Sequence, residues 1–155
     1  MKEMRVKGRV LRALGALIPM VFVFVSGYGG GGTQPATVDL TGSWNIVETI
    51  IQATGVCAGN IGRVSNWSCD AVQTGNDVDV TVTAGDNVGS VFSGTVSGNE
   101  IDWQGEYASD GGTVTVTGTD ITATDTTFEG TSDWEWTDGD DSCSGKTQVA
   151  GTKVL

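Results

Sequence analysis

The 155 residues contain no histidine. That removes Ser-His-Asp and Cys-His nucleophilic machinery and every imidazole metal site. Leucine is nearly gone as well: beyond residue 32 only Leu40 and Leu155 occur. From Asp39 onward the strong helix formers are sparse, and no stretch repeats apolar residues at three and four, so long helices are not expected. Cations are scarce in the same region. Residues 33–155 keep only Arg63, Lys146 and Lys153 against 18 of the 19 acidic residues, a formal charge of −15. Nucleic acid and anionic membrane surfaces would repel such a domain. The charge suits a soluble monomer.

The cations missing from the body of the chain stand at its start. Lys2, Arg5, Lys7, Arg9 and Arg12 precede and enter an apolar stretch from Leu11 to Val25, and small residues follow, including glycines 29–32. A basic start, a short apolar core and small residues describe a secretory signal, and the run is short for a membrane span of about 20 residues. Residues 1–27 are read as the signal, 28–38 as a Gly-rich tether and 39–155 as one domain. If uncleaved, the N-terminal segment would be the only membrane attachment. The expected location is outside the cytoplasm: periplasm, outer envelope or extracellular medium.

What remains is rich in Thr, Val, Gly, Asp and Trp, a composition suited to strands. Valine alternates with polar residues in 77–83 and again in 113–117. Ile101, Trp103 and Tyr107 share one parity, while Asp102, Gln104 and Glu106 share the other. Phe128, Trp134 and Trp136 alternate in the same way with Glu129, Asp133 and Glu135. A period of two gives one buried and one wet face. Turn signals at Gly75-Asn76, Gly85-Asp86-Asn87, Gly98-Asn99, Asp110-Gly111-Gly112, Gly118-Thr119-Asp120 and Asp138-Gly139-Asp140 separate the runs. Eight strands are predicted, at about 43–51, 67–74, 77–84, 88–96, 100–108, 112–118, 121–136 (bent or split) and 144–154. The expected fold is all-β, an antiparallel up-and-down barrel of about eight strands, with an open two-sheet sandwich as the alternative.

Several segments carry a family likeness. Leu40-Thr41-Gly42-Ser43-Trp44 places Gly-x-Trp on the first strand, and Phe92–Asn99, Trp103-x-Gly105-x-Tyr107, Trp134-x-Trp136 and Cys143-Ser144-Gly145 follow. Together they resemble the lipocalin-like barrel domains of bacterial envelope lipoproteins. The resemblance implies a barrel and an envelope location; most members of that group have no assigned activity. Val25-Ser26-Gly27-Tyr28-Gly29-Gly30 is similar to a lipobox, with Tyr28 at the position of the lipidated cysteine. Tyrosine has no thiol to receive the lipid. Trp103-x-Gly105-x-Tyr107 also resembles avidin-type barrels, without identifiable polar partners for a biotin-like ring.

Candidate site residues follow from parity. Trp44, Phe92, Trp103, Tyr107, Phe128, Trp134 and Trp136 face inward, either as packed core or as the lining of a site for a small apolar molecule. Gly94, Gly105 and Gly130 share the inward parity and would relieve crowding beside the rings. Glu48 shares parity with Trp44 and Ile46, as a polar anchor inside the barrel or a wet residue at its mouth. The strand carboxylates at the polar parity face water, so they lack the burial a general acid needs. A non-enzymatic protein is expected, binding a ligand or acting as a filled structural or interaction module; a carboxylate-based hydrolase is the remote alternative. No cofactor is indicated. Asp138, Asp140 and Asp141 are the only acidic cluster to weigh for Ca²⁺, and their spacing is not that of an EF-hand. Of three cysteines, Cys57 follows the first strand and Cys143 precedes the last. In a closed meander these strands are neighbours, so a Cys57–Cys143 bridge would clasp the closure, with Cys69 as the competitor.

Overall fold

The computed structural model describes residues 33–155; the segment read as a signal, Tyr28 and the glycine run lie outside the described residues. Eight strands form in order: β1 (Gly42–Ala53), β2 (Val64–Thr74), β3 (Asp77–Ala84), β4 (Val91–Ser97), β5 (Glu100–Ser109), β6 (Gly112–Ala123), β7 (Thr127–Thr137) and β8 (Ser142–Lys153). Each pairs antiparallel with the next, and β1 pairs with β8 to close the barrel. Closure decides between barrel and sandwich, and it leaves no strand edge free to recruit another chain. Among the described residues no helix is long and apolar enough to cross a membrane.

The strands differ from the expected ones at four places, the simplest being β4, which begins at Val91 rather than 88. A 3₁₀ turn, Gly55–Asn60, follows β1, and β2 begins at Val64 rather than 67. Gly118-Thr119-Asp120 is a bulge, not a turn. The register slips there against both β5 and β7, and Asp120 has φ 59°. Aspartate tolerates that left-handed backbone, so its turn-like composition served a bulge instead. The actual reversal lies at 124–126. Thr124 N–H donates to Thr127 O at 2.7 Å, and Thr127 N–H donates to Thr124 Oγ1 at 3.0 Å.

The inward faces carry the rings, and glycine makes room for them. Phe92 pairs across strands with Gly105, Trp103 with Gly118, Trp134 with Gly145 and Phe128 with Gly151. A Cβ on any of these glycines would fall within the partner ring. In all four pairs the ring leans onto the following strand. Gly94 lies against the Cα and Cβ of Trp103, whereas Gly130 accommodates Ile121 and not a ring. The rings touch in series: Trp44–Phe128 at 5.4 Å between centroids, Phe128–Trp103 at 5.6 Å and Trp103–Phe92 at 6.5 Å. Ile46, Val96, Ile121 and Val149 pack around this column, each at most 1% exposed.

One barrel end is sealed by the chain that leads into β1. Ala36, Val38 and Leu40 pack against the core, so residues 33–38 lie along the barrel. Leu40 N–H donates to Gln73 Oε1 at 2.9 Å, and Trp44 Nε1 donates to Leu40 O at 2.7 Å. Asn76 Nδ2 donates to both Gln34 O and Val96 O at 2.7 Å. Lys153 Nζ donates to Asp39 O at 2.8 Å and lies 5.4 Å from the Trp44 ring centroid.

At the other end Cys57, on the 3₁₀ turn, is bonded to Cys143 at the start of β8, with Cα atoms 5.9 Å apart. The bridge spans 86 residues of chain, a closure for which loop entropy gives about 4–5 kcal/mol of stabilisation. Cys69 is not at this end. Because β2 starts early, Cys69 pairs with Trp44 and is buried in the core. Burial, then the neighbouring Asp70 charge, pushes its thiol up to about 12.

Replacing Gly118 with Ala forces a methyl into the Trp103 indole, with Ile121 also in the way. Overpacking of this kind costs about 1–3 kcal/mol. Chemical denaturation is expected to show that loss for Gly118→Ala. Thr117→Val, on the outward face, should stay within about 0.5 kcal/mol of the parent.

Candidate functional site

The disulfide end of the barrel is open. Below its rim lies a cavity of about 330 Å³ bordered by all the connections at that end except the β7–β8 turn, and by inward residues of the upper strands. Small-molecule sites begin at about 300 Å³. Trp67, Tyr107, Trp134 and Trp136 supply its aromatic wall, and Glu48 lies at its base. A narrower space of about 40 Å³ continues beneath, bounded by Glu48, Phe92, Trp103 and Ser132. It has room for a few waters at most. Toward the sealed end an apolar space of about 30 Å³ lies beside Trp44 and Phe128.

The inward aromatics therefore divide by height. Trp44 and Phe128 belong to the packed lower core, and Phe92 and Trp103 form the floor of the open half. Tyr107, Trp134 and Trp136 reach the cavity. Their height follows from strand direction, because late positions in β5 and β7 both arrive at the open end. Trp67 was missed by the sequence reading. Its signal was present: Trp67, Cys69 and Ala71 share a parity opposite to Ser68 and Asp70. Arg63, also missed, stands at the rim within 3.9 Å of Asp86.

Glu48 is on β1 between Ile46 and Ile50 at the inward parity, opposite Ser65 on β2 and Val149 on β8. It is half-buried and makes no salt bridge among the described residues; the pairs there are Arg63–Asp86 and Lys146–Asp133. Loss of solvent holds its carboxyl above the usual carboxylate range, and the Trp67 indole N–H offsets part of that. Tyr107 faces the same space. Burial, then the Glu48 charge, pushes its phenol up to about 12, against the opposing pull of Arg63.

The indole donors at the inward positions are mostly satisfied by protein atoms. Trp44 Nε1 reaches Leu40 O, Trp103 Nε1 donates to Ser132 Oγ at 3.0 Å and Trp136 Nε1 donates to Ser109 O at 2.9 Å. Trp134 Nε1 is buried and has no acceptor among the described residues. A buried donor without a partner costs about 1–3 kcal/mol.

The remaining carboxylates are elsewhere. Asp102, Glu106, Glu129, Asp133 and Glu135 are exposed on the outer face. Asp138, Asp140 and Asp141 do not converge on a cation. Asp138 Oδ1 accepts from the backbone N–H of Asp140 at 3.0 Å and of Asp141 at 2.8 Å, which closes the β7–β8 turn. Among the described residues no three Asp, Glu, Cys or His side chains are placed to hold a metal ion.

The raised carboxyl of Glu48 has a sign that stability measurements can read. Folded protein retains the Glu48 proton at pH values where the unfolded chain has lost it. Stability therefore falls as pH rises from the ordinary carboxylate range through the raised folded value. Glu48→Gln is expected to melt higher than the parent at pH 7, with the gap narrowing toward pH 4. A difference independent of pH would show that Glu48 is solvated.

Compared with known proteins, the chain matches no family model, no curated protein and no solved structure.

Proposed function

We propose that this chain is an exported, non-enzymatic barrel protein that holds a small molecule with an apolar, ring-sized body in its open mouth. The observation that carries the reading is the 330 Å³ cavity walled by Trp67, Tyr107, Trp134 and Trp136. Aromatic rings give such a body large flat contacts at little cost in side-chain freedom. The packed lower core confines the ligand to the upper half and closes the far end to passage. Export is supported by the Cys57–Cys143 bridge, which suits an oxidising compartment, and by the signal-like composition of residues 1–27. A non-catalytic role is supported by Glu48 being the one carboxylate half-buried in the cavity, with the rim residues Asp86 and Asp110 exposed.

The test is a ligand-observed NMR titration with 2-naphthol against the folded domain and against Ser65→Phe, which places a ring across the mouth. Saturable binding by the parent and its loss in a variant that still melts cooperatively is the expected result. No binding by the parent, or undiminished binding by Ser65→Phe, would overturn the reading.

A further inference from the structure

From the groups that meet at the mouth we infer that the barrel selects an organic ammonium compound: a ring-bearing amine, its cation on Glu48 and its ring against the aromatic wall. This rests on the mouth being a ligand site and specifies what enters it.

Two features converge. First, Glu48 is an acidic side chain at the base of an aromatic enclosure, with no Lys or Arg bonded to it among the described residues. A half-buried carboxylate needs a positive partner more than an exposed one does, because water no longer stabilises its charge. Second, the walls around it are ring faces. Trp67, Tyr107, Trp134 and Trp136 surround a space in which an ammonium can meet carboxylate and π-faces together, the arrangement that favours organic cations over neutral analogues. A simple hydrocarbon would leave the Glu48 charge without a cationic partner. A ring-bearing amine supplies that partner and covers the ring faces.

The charges facing Glu48 favour a cation. Tyr107 is neutral at physiological pH, its phenol pushed up to about 12. Among the described residues Arg63 is the one guanidinium at the rim, and it is drawn to Asp86 at 3.9 Å. Asp86 and Asp110 border the same opening, so three carboxylates, with Glu48, face one guanidinium. The domain charge of −15 also attracts a cation toward the mouth.

The experiment uses a matched pair, 2-amino-1-phenylethanol and 1-phenyl-1,2-ethanediol, which differ by an ammonium in place of a hydroxyl. Calorimetric titration at pH 7 in 150 mM salt screens the distant charges. The cation is expected to bind at least about tenfold more tightly, as a partly desolvated charge pair with aromatic contacts warrants. Glu48→Gln, checked for folding by circular dichroism, is expected to bring the ratio close to one. Equal affinities in the parent would overturn the cation inference and leave the mouth as a site for neutral ligands. A preference that survives Glu48→Gln would overturn it too, because selectivity would then come from the general negative charge. Failure of both compounds to bind would overturn this inference, while the 2-naphthol titration decides separately whether the mouth binds small molecules at all.

Discussion

Large rings fit inside this eight-stranded barrel because glycine faces them across the strands. Phe92 lies on Gly105, Trp103 on Gly118, Trp134 on Gly145 and Phe128 on Gly151. An ordinary residue at any of these glycines would meet a ring where its Cβ must be, and a core at crystal-like density has no slack to absorb it. The same pairs aid register. A slip of one residue would put every ring outside and every polar residue inside, and a slip of two would set rings against side chains. Packing and strand pairing thus rest on one set of contacts.

The contacts also determine where space is left. In the lower half the ring column joins Ile46, Val96, Ile121 and Val149, and residues 33–41 close the end over it. In the upper half the rings stand along the wall, with polar residues among them. The disulfide ties the 3₁₀ turn to β8 beside this opening and keeps the rim from fraying where β1 meets β8. A sealed lower half and a braced upper half make a one-ended vessel, with Glu48 at the level where packed core gives way to open space.

Much of this was legible in the sequence, for definite reasons. Period-two alternation in Val78-Asp79-Val80 and in Trp134-Glu135-Trp136 reports the burial of each face directly. Topological adjacency of the first and last strands was enough to pair Cys57 with Cys143. Other features were not legible, because parity gives side and not height. It placed Trp44 and Trp136 on the same inner face, though one is core and the other lines a cavity. Bulge and turn share a composition, so Gly118-Thr119-Asp120 looked like a reversal. The height of Cys69 depended on where β2 begins, and the short polar run before Trp67 hid that start.

The central claim is that cross-strand glycines carry the inward rings and so set both register and cavity. The most direct test is the α-proton chemical shift of Gly105, Gly118, Gly145 and Gly151, together with NOEs to the ring protons of Phe92, Trp103, Trp134 and Phe128. A proton beneath a ring face is shielded, so all four glycines should show α-protons displaced upfield, each with NOEs to its assigned ring. Ordinary strand shifts without those NOEs would contradict the account.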